Sequence, residues 1–202
     1  MIPAGLRSGV STIPFALVLT ASLPFRMGAA EKAIDSQRSS LTIHVGRAGL
    51  LSAAGHEHTI KAPIESGSVD DTNSSPSVRM TVAAGRLEVT PDAKLSTADL
   101  TEVQSNMQSK VLESSKYPQI VFQSTRAERQ GMDTWTVDGN LTLHGVTKPL
   151  TVSVRRDKDA YVGAVRIKQT DFGIQPIRVG GGLVTVKNEL DVRFEVYCLP
   201  KP

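Results

Sequence analysis

Thr134-Trp135-Thr136-Val137-Asp138-Gly139-Asn140-Leu141-Thr142-Leu143-His144-Gly145-Val146-Thr147-Lys148-Pro149-Leu150-Thr151-Val152-Ser153-Val154 is the stretch that decides the fold. Trp135, Val137, Leu141 and Leu143 share one parity and are separated by polar residues or glycine; Leu150, Val152 and Val154 resume the pattern after the break from Gly145 to Pro149. Successive side chains of a strand point to opposite faces, so this period of two gives each run one apolar face. Two such runs joined by a Gly- and Pro-containing segment read as an antiparallel hairpin, with His144 opening the turn and bonding its backbone.

The same period extends in both directions. Leu41, Ile43 and Val45 alternate with polar residues, as do Val78, Met80 and Val82, and Leu87 and Val89 follow. Ile120 with Phe122, then Tyr161, Val165 and Ile167, and finally Leu190, Val192, Phe194 and Val196 continue the series, with the lone Cys198 in the same parity as the last run. Breakers at Ala62-Pro63, Asp70 to Pro76, Gln130-Gly131, Asp157 to Asp159 and Gly180-Gly181-Gly182 divide the chain into eight or more short strands. One segment has another period: Leu100, Val103, Met107 and Val111 are spaced three, four and four apart, as in an amphipathic helix of about four turns. Ser96 ahead of Asp99 supplies a hydroxyl N-cap and an acid in the first turn, and Pro118 closes the segment. One helix within a run of antiparallel strands predicts an all-β barrel or sandwich plugged by that helix.

The 202 residues carry 23 Lys+Arg against 20 Asp+Glu, with 40% apolar and 21% charged residues. That composition excludes a disordered tail and a multispanning membrane protein. Residues 1–30 contain Arg7 and Arg26 but no acid, with an apolar stretch from Ile13 to Phe25 and Gly28-Ala29-Ala30 before Glu31-Lys32. This pattern predicts a secretory signal peptide cleaved after Ala30, leaving 31–202 as the mature domain; an uncleaved anchor is the competing reading. Pro14 and Pro24 interrupt the apolar stretch, which falls short of the ~20 residues a spanning helix needs. Without Arg7 and Arg26 the balance is 21 basic to 20 acidic residues, so no nucleic-acid partner is expected.

Two longer segments carry a family resemblance. They are Lys116-Tyr117-Pro118-Gln119-Ile120-Val121-Phe122-Gln123-Ser124-Thr125 and Gly139-Asn140-Leu141-Thr142-Leu143-His144-Gly145-Val146-Thr147-Lys148-Pro149-Leu150-Thr151-Val152, followed by the turn Asp171-Phe172-Gly173-Ile174. In order and separation, these resemble the YceI-like family over roughly Ser40 to Val196. The resemblance implies a lipocalin-like antiparallel β-barrel in the periplasm, whose interior holds a polyisoprenoid or another long-chain amphiphilic lipid, an isoprenoid quinone included. It implies no catalysis and no cofactor, and it leaves room for a transient membrane or membrane-protein partner. The chain departs from the family pattern at Gly55-His56-Glu57-His58-Thr59-Ile60, where aromatic-rich alternation is expected, and in the helix, which lacks the family's charged and histidine residues.

Periodicity alone leaves open whether the inward side chains fill the interior or line a void. A cavity wall would be built from Ile43, Val45, Ile60, Met80, Val82 and Ile120 on one side. Phe122, Leu141, Leu143, Val152, Val165 and Phe194 would complete it. With 4% aromatics the inward set is of modest size, and the resemblance favours the void. His56 and His58 share a face with Ile60, while His44 has the opposite parity to its apolar neighbours and faces away from them. The pair has chelating spacing but lacks a third ligand, so no metal is expected; polar contacts at a cavity mouth and structural hydrogen bonding are the other roles. A histidine-based metal- or haem-associated redox accessory protein or enzyme is the alternative function. No Ser-His-Asp order, Cys-His pair or phosphate-binding loop occurs. Gly180-Gly181-Gly182 is a candidate lip of the cavity.

Overall fold

The computed structural model describes residues 31–48, 57–72, 75–93, 95–179 and 184–200. The predicted signal peptide, His56 and the Gly180-Gly181-Gly182 run lie outside them. In chain order the strands are β1 (Lys32–Ala33), β2 (Ser40–Ala48), β3 (His58–Lys61), β4 (Ile64–Asp70), β5 (Ser77–Ala83) and β6 (Glu88–Val89). After the helix come β7 (Gln119–Arg129), β8 (Thr134–Leu143), β9 (Val146–Asp157), β10 (Ala160–Lys168), β11 (Arg178–Val179) and β12 (Val184–Tyr197).

These strands form one sheet, ordered β1-β4-β5-β7-β8-β9-β10-β12-β2-β3-β6, with β11 on β12. Its pairings are all antiparallel. β3 and β4 stand near opposite ends of this order, yet only Ala62 and Pro63 separate them. They act as one bent strand that pairs with β2 before the bend and with β5 after it, which rolls the sheet into a barrel. Pro63 sits at the bend, where its missing N–H breaks the ladder. A second seam joins β1 to the end of β12, through the Ile34–Cys198 bridge and the bonds Asp35 N–H to Tyr197 O and Leu199 N–H to Ala33 O.

The helix follows its expected course. Ser96 Oγ accepts from Asp99 N at 3.1 Å, and α1 runs from Thr97 to Asn106 before its last turn, Met107–Val111, loosens into π geometry. Met107 and Leu112 are buried, and Leu100, Val103 and Val111 pack on the core from the side. Two amides on the same helix hold it down: Gln104 accepts from Val89 N and donates to Leu87 O, both at 2.8 Å, and Gln108 donates to Leu87 O at 3.0 Å and Ala84 O at 3.2 Å. These bonds occupy backbone groups at the short edge strand β6 that would otherwise need water.

The connection between β8 and β9 differs from the sequence expectation. The turn is only His144 and Gly145, at φ 52° and 74°, and Val146 to Pro149 already belong to β9. Positive φ at both central residues is the geometry that follows the twist of a two-residue hairpin. Gly145 also lies under the Tyr117 ring, where a Cβ would stand 2.6 Å from Cε1. The His144 ring lies tilted by 55° against Tyr117 with centroids 4.4 Å apart and places Nε2 3.6 Å from Glu113 Oε2, so its contacts are with the segment after the helix rather than the turn backbone. The Asp171-Phe172-Gly173-Ile174 turn closes a short helical turn at Gly173 (φ 73°), with Phe172 and Ile174 buried.

Candidate functional site

The inward faces of the strands do not meet in the middle. Ile120, Phe122, Leu141, Val165, Ile167, Val192 and Phe194 point into the barrel and are nevertheless only half-buried. A close-packed interior would cover them, so these side chains face open space.

Among the described residues that space holds two chambers. The wider one, about 550 Å³, lies under the helix. Ile43, Val45, Ile60, Val82, Ile120 and Leu143 form its strand walls, and Val103, Met107 and Val111 supply the helical side. Arg47, His58, Asp99, Glu102, Asn106 and Gln169 also border it, giving this end of the barrel its polar groups. The narrower chamber, about 150 Å³, continues toward the opposite end between Phe122, Val152, Val165 and Phe194. Leu141, Ile167 and Val192 border both chambers and mark the passage between them.

The far end of the narrow chamber carries Trp135 and Tyr161, packed edge-on at 5.9 Å, with Val69, Val137 and Val196. Cations lie over both rings, Arg129 at 5.5 Å from the Trp135 centroid and Arg156 at 5.7 Å from that of Tyr161. The Tyr161 hydroxyl donates to Asp71 Oδ2 at 2.7 Å, and Lys32 Nζ donates to the same carboxylate at 2.9 Å. Burial works to raise the Asp71 pKa, but the hydrogen bonds from Tyr161 and Lys32, with the charge of Lys32, together hold it below the ordinary carboxylate value. Burial, then the bond to Asp71, pushes the Tyr161 hydroxyl well above its ordinary range, so it remains a donor. At the neighbouring seam, burial raises the Cys198 thiol.

The sequence-derived cavity residues therefore divide between the two chambers, with one exception. Met80 shares the inward parity of Val78 and Val82 but borders neither chamber; it packs against the core, paired across the sheet with Phe122 on one side and Gly67 on the other. The helical wall is absent from the sequence-derived set, because the spacing of Val103, Met107 and Val111 predicts a plug rather than a lining. Also absent are Trp135, Tyr161 and Val196, whose period-two positions are visible but whose depth in the barrel is not.

The histidines are separated. His58 pairs with Val45 and faces the wide chamber, whereas His44 pairs with Thr59 on the outer face, Nδ1 lying 3.3 Å from Thr59 Oγ1. Among the described residues no group of three or more His, Cys, Asp or Glu side chains is placed to hold a metal.

Residues 33–198 match the model of the YceI-like domain. The chain belongs to the YceI-like family. It is 26% identical over 177 residues to a UPF0312 protein of Vibrio vulnificus (strain YJ016), covering 81% of this chain and 88% of the relative. A shorter match to a UPF0312 protein of Azotobacter vinelandii reaches 38% identity over 71 residues, covering 30% and 37%. Among solved structures, a polyisoprenoid binding domain from Saccharophagus degradans, implicated in plant cell wall breakdown, superposes with a TM-score of 0.58 at 15% identity, covering 85% of this chain and 99% of that one. BcnA of Burkholderia cenocepacia superposes at 0.55 with 19% identity, covering 82% and 99%. At these identities the two structures share the YceI-like fold with this chain, as the motif resemblance implied.

Proposed function

We propose that this YceI-like chain is a binding protein that holds one amphiphilic isoprenoid lipid, its tail along the two chambers and its polar head at the helix end. The observation that carries this reading is the hollow interior: apolar side chains that point inward and remain uncovered. A prenyl tail has no hydrogen-bonding groups, so it needs apolar walls along its length and polar partners at one end only. At roughly 25 cal/mol per Å², removing a few hundred Å² of tail from water contributes several kcal/mol before ordering costs. The polar groups by the wide chamber, Arg47, His58 and Asn106 among them, suit a hydroxyl, phosphate or quinone oxygen as the head.

No catalytic step belongs to this reading, and no metal or cofactor. The function we assign is transport or storage outside the cytoplasm, with residues 1–30 as the export signal and the periplasm as the compartment, where a membrane supplies or receives the lipid. Organic extraction of protein purified from the periplasm, followed by mass spectrometry, tests the reading. A stoichiometric prenyl lipid is the expected result. An empty extract, together with failure to bind any prenyl alcohol, would refute it.

A further inference from the structure

Two of the rings that line the narrow chamber, Phe122 and Phe194, lie against glycines. Gly139 in β8 and Gly163 in β10 lie in the inward parity of their strands, between Val137 and Leu141 and between Tyr161 and Val165. A Cβ on Gly139 would stand 2.5 Å from Phe122 Cζ and 2.8 Å from Cε2; on Gly163 it would stand 2.4 Å from Phe194 Cζ and 2.9 Å from Cε1. Each phenyl ring thus rests in the space of a missing side chain, Phe194 against its direct cross-strand partner and Phe122 diagonally across from its own. Neither glycine is among those with positive φ, so backbone freedom is not what the positions require. They require room, both for a ring lying against the wall and for a backbone carbonyl of the next strand, since Gln123 O would stand 2.6 Å from a Cβ on Gly139 and Ser153 O 2.6 Å from one on Gly163.

We propose that Gly139 and Gly163, with Phe122 and Phe194 laid over them, set the length of isoprenoid tail the barrel accepts. This rests on the lipid-binding reading above. With a side chain at either glycine, the facing ring must swing away from the wall into a chamber of about 150 Å³. A cavity of ~150 Å³ takes up a single benzene, so a displaced phenyl ring fills it. On the same scale the wide chamber holds about four isoprene units, and the narrow chamber adds about one more. The fifth unit passes Leu141, Ile167 and Val192 and ends beside Trp135, the one tryptophan of the chain.

The test is a titration of the full domain with all-trans prenyl alcohols of two to nine isoprene units, read by equilibrium dialysis and by Trp135 emission. For the unaltered protein each added unit raises affinity about tenfold or more until a plateau near five units, and Trp135 emission shifts only once the narrow chamber fills. Phe122→Ala and Phe194→Ala open the chamber and move the plateau up by about one unit. Gly163→Ala moves it down by about one and removes the Trp135 response. Because a Cβ on Gly163 also meets Ser153 O at 2.6 Å, that variant is secondary to the phenylalanine variants. Phe194→Leu, which keeps an apolar side chain over the glycine, replaces an alanine variant that does not fold. Binding retained with the same plateau in all folded variants overturns the inference and leaves the lipid reading standing. An unaltered protein that binds no prenyl alcohol overturns both.

Discussion

Asp71 gives the sharpest handle on what closes the far end of the barrel. Its carboxylate receives Lys32 at 2.9 Å and Tyr161 at 2.7 Å, with Arg156 at 3.7 Å, and its side chain is 17% exposed against 25% for Lys32. Hydrogen bonds to a charged group contribute about 1.5 to 3 kcal/mol, and partial solvent access places this one toward the middle of that range. Asp71→Asn, which keeps the shape and removes the charge, is therefore expected to cost about 2 kcal/mol at pH 7. The sign of the pH dependence follows from the lowered pKa of the folded state. The contribution is complete above the ordinary carboxylate value of 3.8 and disappears as pH falls through the still lower folded value. Urea unfolding followed by Trp135 emission at pH 7 and at about pH 3 measures both terms. A difference of about 2 kcal/mol that shrinks in acid supports the argument, as does a coupling of about 1 kcal/mol with Tyr161→Phe in a double-mutant cycle. A difference below about 0.5 kcal/mol at pH 7, or one that stays constant in acid, would refute it.

Val152 is buried at the wall of the narrow chamber, so Val152→Trp fills that chamber; overpacking costs about 1 to 3 kcal/mol of stability, and the lost tail burial weakens binding of a five-unit prenyl alcohol by about 2 to 4 kcal/mol, both readable by denaturation and dialysis. Unfolding of this variant, with no lipid ever detected on the unaltered protein, would mean a solid interior. Gln104→Ala strands the N–H of buried Val89 and leaves the helix held by Gln108 alone of the two amides, which is expected to cost about 1 to 3 kcal/mol in urea unfolding and to speed lipid release in stopped-flow exchange. Intact-mass measurement of periplasmic protein should show a chain beginning at Glu31; recovery there of a species retaining residues 1–30 would refute the export signal.

Much of the fold was legible because the residues that carry it are local. The period of two in Leu141-Thr142-Leu143 or Val192-Arg193-Phe194 assigns a face to every strand residue, and Ser96 with the spacing of Leu100, Val103, Met107 and Val111 marks the helix and its start. The hairpin at His144 is tighter than its sequence suggests, because Val146-Thr147-Lys148-Pro149 has the composition of a loop yet belongs to β9. Two residues suffice there once both adopt positive φ, and a proline is admitted within β9 opposite Asn140. Gln104 and Gln108 carry no local sign of their role, because their partners are backbone atoms at Ala84, Leu87 and Val89, whose nearness depends on how the helix lies.

What parity cannot supply is the distance between opposite walls. Whether Phe122, Val165 and Phe194 touch across the barrel depends on its girth, which is settled by how the sheet closes: a single bend at Ala62-Pro63 links the strand that pairs with β2 to the strand that pairs with β5. Given that girth, the same inward residues can fill the space or line it according to where the rings lie, and the ring positions depend on glycines that look in the sequence like gaps in the apolar pattern. Gly139 interrupts Val137 and Leu141, and Gly163 interrupts Tyr161 and Val165, so each reads locally as a weak point of a strand. In three dimensions those interruptions receive Phe122 and Phe194, and the loss of strand propensity there is offset by rings held against the wall. Hollowness is therefore a property of pairs of positions brought together from different strands, which is why alternation identified the lining face but could not show that it stays uncovered.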